Sequence, residues 1–220
     1  MPMLMLLCSA VLPSAAASEF AAAPEPAAAQ PVDAGWILRA LARPVPARTA
    51  FVELRGSPLL KAPLRIEGEY QRPDNDSLVR EVRSPYAETT TLRNGEAIIA
   101  RTGKTPRKYS LTRVPELAGL QASFGALLSG DRVSLEKHYR LAPQGTRQQW
   151  TLSLMPKDAK LQGNVRDITL YGRGAELRCI ETRPVKGDLQ RTLLAGAAHE
   201  AADVTTSQAL AALCRAGSVH

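Results

Sequence analysis

The chain has 220 residues, of which 45% are hydrophobic and 5% aromatic, and its formal net charge is +7. This length and apolar content predict one globular domain of ordinary size. We do not expect nucleic-acid binding, because aromatic residues are too few for a base-stacking platform and the basic residues alternate with acidic ones. The excess positive charge instead predicts a solvated basic surface that suits anionic membranes or an acidic partner.

The first 34 residues differ in composition from the rest of the chain. Residues 1–17 are apolar and uncharged, and they end in Ala15-Ala16-Ala17, small residues that suit signal-peptidase cleavage. Residues 18–34 are rich in Ala, Pro and Glu, and such a segment cannot bury enough apolar surface to offset its ordering entropy. We therefore expect a cleaved secretory signal peptide at 1–17, a flexible leader at 18–34 and a folded domain at 35–216.

Cysteine usage agrees with export. Removal of the signal peptide would leave two thiols, Cys179 and Cys214. A pair in an oxidising compartment predicts one disulfide, which would attach a C-terminal segment to a strand of the sheet. Two unrelated buried thiols remain the alternative, because two cysteines alone are weak evidence.

Most of the chain predicts antiparallel strands. Apolar or small residues at 64, 66, 68 and 70 alternate with charged or polar residues at 65, 67, 69 and 71, as is typical of a strand with one face in water. Pro73 ends this strand because proline cannot donate to a sheet, and Asn94-Gly95 predicts a tight hairpin turn. The pattern predicts about ten strands in a meander. The eleven candidate segments are 49–55, 64–71, 78–83, 86–92, 97–101, 108–112, 134–141, 148–155, 164–170, 176–182 and 189–195.

Three segments have helical periodicity instead: 32–43, 114–128 and 206–215. Asp33 is the predicted N-cap of the first, and Gly130 the predicted stop after the second. A sheet with one apolar face needs a cover, so the 114–128 helix must lie on that face. The pattern leaves two alternatives: a lid above an apolar cavity that suits acyl chains, or a plain α+β core without a cavity.

No catalytic or metal-binding set emerges from the sequence. The three histidines, at 138, 199 and 220, have no Cys or His at metal-ligand spacing. Glu136 and His138 would share one face of the predicted strand 134–141 and could form an acid–base pair, although two solvated side chains are the commoner case. We therefore expect no enzymatic activity, no metal and no cofactor.

The order and spacing of several short motifs resemble those of the periplasmic outer-membrane lipoprotein carrier family, LolA, in its divergent LolA-like branch. The resemblance spans about 36–196. Its motifs are Arg72-Pro73, Ser84-Pro85 before the strand leading to Asn94-Gly95, Trp150-x-Leu152-x-Leu154-x-Pro156-Lys157, and Ile168-Thr169-Leu170 followed by Gly174 and Leu177. The resemblance implies a mostly antiparallel α+β fold: an open, incomplete β-barrel of about ten strands, covered by amphipathic helices, with acyl chains in its cavity.

The resemblance also implies a site and a role. In the family, the arginine of the Arg-Pro pair holds the lid closed by hydrogen bonds to the backbone of a lid helix. The resemblance therefore implies that Arg72 is the lid latch. The cavity contacts that we expect are Ile66, Tyr70, Leu120, Phe124 and Leu127. The expected function is a monomeric periplasmic carrier that takes the acyl chains of a lipoprotein or lipid from an inner-membrane transporter towards an outer-membrane receptor. An envelope scaffolding protein with a self-filled core and a lipid-processing enzyme that uses the Glu–His pair stay open as alternatives.

Overall fold

The computed structural model describes residues 30–55, 63–111, 126–127 and 129–216. Eleven strands in these residues form one antiparallel sheet with the order β6-β5-β4-β3-β2-β1-β11-β10-β9-β8-β7. Two meanders, β1 to β6 and β7 to β11, join where β1 pairs with β11. The strands are Ala47–Arg55 (β1), Leu64–Arg72 (β2), Ser77–Ser84 (β3), Glu88–Arg93 (β4), Glu96–Arg101 (β5), Arg107–Ser110 (β6), Tyr139–Gly145 (β7), Trp150–Pro156 (β8), Val165–Arg173 (β9), Glu176–Pro184 (β10) and Gln190–Leu194 (β11). The prediction of an open, mostly antiparallel sheet with covering helices is confirmed.

The helices are Ala34–Leu41 (α1), Arg132–His138 (α2), Ala159–Gln162 (α3), Ala195–Glu200 (α4) and Ser207–Arg215 (α5). The side chain of Asp33 caps α1 by accepting a hydrogen bond from the backbone N–H of Trp36 at 2.9 Å. Residues 126, 127 and 129 are also helical; the rest of the helix predicted at 114–128 lies outside the described residues. No helix among the described residues is long and apolar enough to cross a membrane.

The two faces of the sheet bury separate apolar clusters, because side chains alternate between the faces along each strand. We call the face covered by α1 the inner face and the opposite face the outer face. The inner cluster includes Ile37, Leu38, Ile66, Leu127, Leu152 and Leu170. The outer cluster lies under α4 and α5 and includes Val52, Leu193, Ala197 and Leu210.

The outer cluster contains a disulfide between Cys179 of β10 and Cys214 of α5. Beside it, the carboxylate of Glu181 accepts hydrogen bonds from the Tyr171 hydroxyl at 3.0 Å and from Arg191 Nε at 2.5 Å. Burial and the charge of Glu181 raise the pKa of Tyr171, so this phenol remains a proton donor. Arg215 of α5 also pairs with Glu181 at 3.7 Å, so this ion pair and the disulfide attach α5 to the outer face.

The prediction of a strand at 134–141 is wrong over its first half. Residues 132–138 form α2, and β7 begins only at Tyr139. The carboxylate of Asp131 accepts a hydrogen bond from the Ser134 N–H at 2.9 Å and caps the helix, while Leu135 is its buried residue. Residues two apart on a helix point in nearly opposite directions. Glu136 and His138 therefore share no strand face, and the geometric basis of the acid–base pair is lost.

Candidate functional site

The inner face is built from registered rows of side chains on neighbouring strands. On β8 and β9, Leu152 lies opposite Leu170 and Leu154 lies opposite Ile168. Trp150 lies opposite Gly172, and its indole Nε1 donates a hydrogen bond to the backbone oxygen of Gly174 at 2.9 Å.

Gly172 makes room for this indole. A Cβ at position 172 would lie 2.0 Å from Trp150 Cζ2, so a glycine is needed there. The Trp-x-Leu-x-Leu motif thus supplies a tightly packed wall of the inner face.

Three of the five predicted cavity contacts lie in the inner cluster. Ile66 is fully buried at 0% exposure, and Tyr70 and Leu127 are also buried. Leu120 and Phe124 lie outside the described residues. The structure therefore gathers Ile66, Tyr70 and Leu127 into one apolar cluster, while contact with a ligand stays a prediction for all five residues.

Arg72, the predicted latch, is buried at the end of β2. Its Nη1 donates a hydrogen bond to the backbone oxygen of Arg43 at 3.3 Å, and its Nη2 donates to Asn75 Oδ1 at 3.1 Å. Arg43 follows the C-cap residue of α1, Ala42. The side chain of Arg72 thus connects the sheet to the backbone immediately after α1. Its role as a latch for a moving lid stays a prediction.

A buried polar cluster, which the sequence reasoning missed, lies in the middle of the inner face. The Glu53 carboxylate of β1 accepts hydrogen bonds from Arg80 Nη2 at 2.9 Å, Thr192 Oγ1 at 3.2 Å, Arg55 Nη2 at 3.4 Å and the Tyr70 hydroxyl at 3.5 Å. Burial, followed by the charge of Glu53, raises the pKa of Tyr70. Its phenol therefore stays protonated and can serve as a donor.

The pairing of Arg80 with Glu53 depends on a gap in the strand between them. Arg80 lies on β3 and Glu53 on β1, so the arginine must reach across β2. It crosses near Gly68, which has no side chain, and its Cζ lies 4.6 Å from the centroid of the Phe51 ring. The sequence signal that could have revealed this cluster is a charged residue at an inward position of a strand. Glu53 is two residues after Phe51, and Arg80 is two residues from both Leu78 and Val82.

Positive charge is concentrated at one edge of the sheet, on the hairpin that joins β5 to β6. Arg101, Lys104, Arg107 and Lys108 are all exposed there. Arg101 pairs with Glu88, and Lys108 pairs with Glu96 at 2.8 Å. Within the part of the chain that the structure describes, Lys104 and Arg107 form no ion pair.

An open antiparallel sheet whose inner face is covered by helices defines the class of this protein, a lidded half-barrel. The chain belongs to the family described as outer membrane lipoprotein carrier protein LolA-like, whose family model matches residues 26–217. A search of curated proteins finds no match.

Three of the solved structures that match this chain are from Nitrosomonas europaea, Pseudomonas aeruginosa and Mycobacterium bovis. A LolA superfamily protein of Nitrosomonas europaea is 12% identical with a TM-score of 0.39, and the alignment covers 74% of this chain and 91% of that one. The MucA/MucB complex of Pseudomonas aeruginosa gives 18% identity and a TM-score of 0.38, covering 74% of this chain and 56% of that one. LprF of Mycobacterium bovis gives 14% identity and a TM-score of 0.31, covering 74% and 91%.

Proposed function

We propose that the protein is a non-enzymatic periplasmic carrier. It holds the acyl chains of a lipoprotein or lipid between the inner face and the helices above it, and shuttles them towards the outer membrane. The observation that carries this proposal is an inner face that is apolar on both sides of the Glu53–Arg80 cluster, contributed by both meanders and covered by helices. Membership of the LolA-like family supports the same function.

Ligand entry requires the cover to move. Ile37 of α1 and Ile66 and Leu152 of the sheet are each fully buried at 0% exposure, and a packed interior has no room for an added chain. If an acyl chain took the place of the cover on the inner face, burial of each of its CH₂ groups would stabilise the complex by about 0.8 kcal/mol. In this proposal Arg72, which joins the sheet to the backbone after α1, is the latch that opposes that movement.

The proposal includes export and two membrane partners. Residues 1–17 act as a signal peptide, residues 18–34 form a leader that runs into the start of α1, and the mature monomer takes its cargo from an inner-membrane transporter and delivers it to an outer-membrane receptor. N-terminal sequencing of the mature protein tests the first part: a start near Ser18 supports export, and retention of residues 1–17 contradicts it.

The close packing of the inner cluster favours a second candidate, an envelope scaffolding protein whose side chains fill their own core. Complete burial of Ile66 and Leu152 is what such a protein would show. The two functions differ in one measurable property, since a scaffold would take up no acyl ligand.

Two matched valines separate these functions experimentally. Val82 belongs to the inner cluster and Val52 to the outer cluster, and both are buried strand residues. Replacing either by Phe overpacks a core and costs about 1–3 kcal/mol of stability. A carrier binds a pyrene-labelled fatty acid, and Val82→Phe weakens that binding while Val52→Phe leaves it unchanged. Equal affinities of the two variants would contradict an inner-face site, and no binding by the wild type would favour the scaffold.

A further inference from the structure

The Glu53–Arg80 pair occupies a place where the fold alone does not require charge. Their side chains are 11% and 14% exposed, and Arg80 lies between Leu78 and Val82 of the inner cluster. Removing two ionised groups from water is costly, and apolar residues at the same positions are often equally stable. Stability is therefore a weak reason for an ion pair on this face.

In the cluster, the acceptor capacity of Glu53 is in use, whereas Arg80 has more N–H donors than its partners use. The Glu53 carboxylate already accepts from Arg80, Arg55, Thr192 and Tyr70. A guanidinium has five N–H donors, and within the described residues Arg80 interacts with Glu53 and Tyr70. Arg55, whose side chain is 59% exposed, adds a second guanidinium beside the neutral Glu53–Arg80 pair. Arg80 therefore has more N–H donors than Glu53 and Tyr70 use, which suits a further oxygen acceptor, neutral or anionic.

The position of the cluster suits the polar end of an acyl ligand. Glu53 lies on β1, the central strand, with five strands on either side. The Phe51 ring lies under the guanidinium of Arg80, with 4.6 Å between Cζ and the ring centroid, and Thr90 is paired with Arg80 on the neighbouring strand. Apolar surface of the inner cluster extends from here into both meanders.

We propose that Arg80 is a polar anchor within the acyl-binding site, donating hydrogen bonds to the carbonyl, carboxylate or phosphate oxygen that joins the ligand's acyl chains to its head. Glu53 and Phe51 act as positioning residues that hold the guanidinium in place. This inference rests on the proposed carrier function and specifies the ligand: acyl chains that carry an oxygen acceptor, in preference to plain hydrocarbon.

Three probes that share a pyrene-labelled alkyl chain and differ only in its polar end test the proposal: pyrenedodecanoic acid, its methyl ester and dodecylpyrene. The double variant Glu53→Leu/Arg80→Met removes both charges and so leaves no unpaired buried ion. We expect it to bind dodecylpyrene as the wild type does, and to bind the acid about 10-fold or more weakly, as loss of a charged hydrogen bond predicts. If the double variant also binds the ester more weakly, the recognised group is a carbonyl. If it loses affinity for the acid alone, the recognised group is an anion.

The outer face provides a matched control. Glu181 and Arg191 form an ion pair there with side-chain exposures of 6% and 15%, so Glu181→Leu/Arg191→Met removes an equally buried pair away from the inner face. We expect this control to leave all three affinities unchanged. Arg80→Lys keeps the charge but not the planar fork of donors; it should weaken the binding of the acid and the ester even if the double variant folds poorly.

The outcomes separate the anchor from the carrier function. If the Glu53→Leu/Arg80→Met variant binds the acid and the ester as tightly as the wild type, the anchor is refuted and the carrier function stands. If the wild type binds all three probes with equal affinity, the anchor is likewise refuted and the carrier function stands. If the wild type binds none of the probes, dodecylpyrene included, the carrier function itself is refuted.

Discussion

Gly68→Ala should destabilise the protein strongly, although it adds a single methyl group. A Cβ at position 68 would lie 1.9 Å from the backbone oxygen of Glu81 and 2.9 Å from Phe51 Cε1. The first contact involves backbone, so β2 and β3 must separate before the methyl group fits. The second contact involves the ring that supports Arg80, so the Glu53–Arg80 pair is disturbed as well.

The size of the effect follows from two opposing contributions. Overpacking a well-packed interior costs about 1–3 kcal/mol, and a fixed backbone oxygen places Gly68→Ala at the upper end of that range. The lower conformational entropy of alanine in the unfolded chain offsets about 0.4–1 kcal/mol. We therefore expect a net loss of about 2–3 kcal/mol, or a Tm lowered by about 4–12 °C for a chain of this size.

Thermal and urea unfolding followed by circular dichroism measures this loss. Gly163→Ala is the matched control, because a Cβ there would meet only Lys160 O at 3.4 Å and Ala159 O at 3.6 Å. The control should be neutral or slightly stabilising. If Gly68→Ala loses no more stability than Gly163→Ala, the close approach of β3 to β2 at this position is wrong.

Three further predictions concern the disulfide, the first helix cap and the basic hairpin. Replacing Cys179 and Cys214 together by Ser should lower the free energy of unfolding by about 4 kcal/mol in urea titrations, since the bond closes a loop with a sequence separation of 35 residues; an unchanged midpoint would contradict the cross-link. Backbone N–H donation at the start of α1 lowers the pKa of Asp33, so its contribution to stability is present above its ordinary pKa of 3.8 and is lost as the pH falls through the lowered value. Asn also caps a helix but does not titrate, so Asp33→Asn should reduce the decrease in unfolding free energy between about pH 5 and 2, measured by urea titrations. An unaltered pH dependence would contradict the cap. Lys104→Glu with Arg107→Glu should weaken sedimentation with phosphatidylglycerol vesicles in low salt, because both side chains are exposed; equal sedimentation would contradict a membrane-facing hairpin.

The strands and hairpin turns were predictable because their signals are local. Alternation from Leu64 onwards identified β2, and both Asn94 and Gly95 have positive φ, 50° and 74°, as the predicted turn requires. The pairing of β1 with β11 was beyond such reasoning. It joins segments about 140 residues apart, and no turn signal specifies which strands of two meanders meet.

The α2 error shows where periodicity fails. The helix has seven residues and one buried side chain, Leu135, so it offers too few apolar positions to distinguish a period of 3.6 from a period of 2. Its start depends on a single cap, Asp131. A short capped helix next to a strand therefore reads as an extension of that strand.

The polar cluster was only partly predictable, for a different reason. Glu53 and Arg80 are 27 residues apart and lie on strands that are not neighbours. Their contact requires the β1–β2 and β2–β3 registers together, and also the absence of a side chain at Gly68. The sequence reveals only that each charge occupies an inward position. Which charges meet is decided by the sheet.

The carrier function is tested most directly by the ligand that the protein holds when it is purified from the cells that make it. Purification from the periplasm without detergent, followed by mass spectrometry of the extracted lipids and acylated peptides, identifies any bound species. The proposed function predicts a stoichiometric acylated ligand, present in a smaller amount in the Val82→Phe variant prepared in the same way. Protein that carries no such ligand and takes up no pyrene-labelled fatty acid would contradict the carrier function and favour a scaffold.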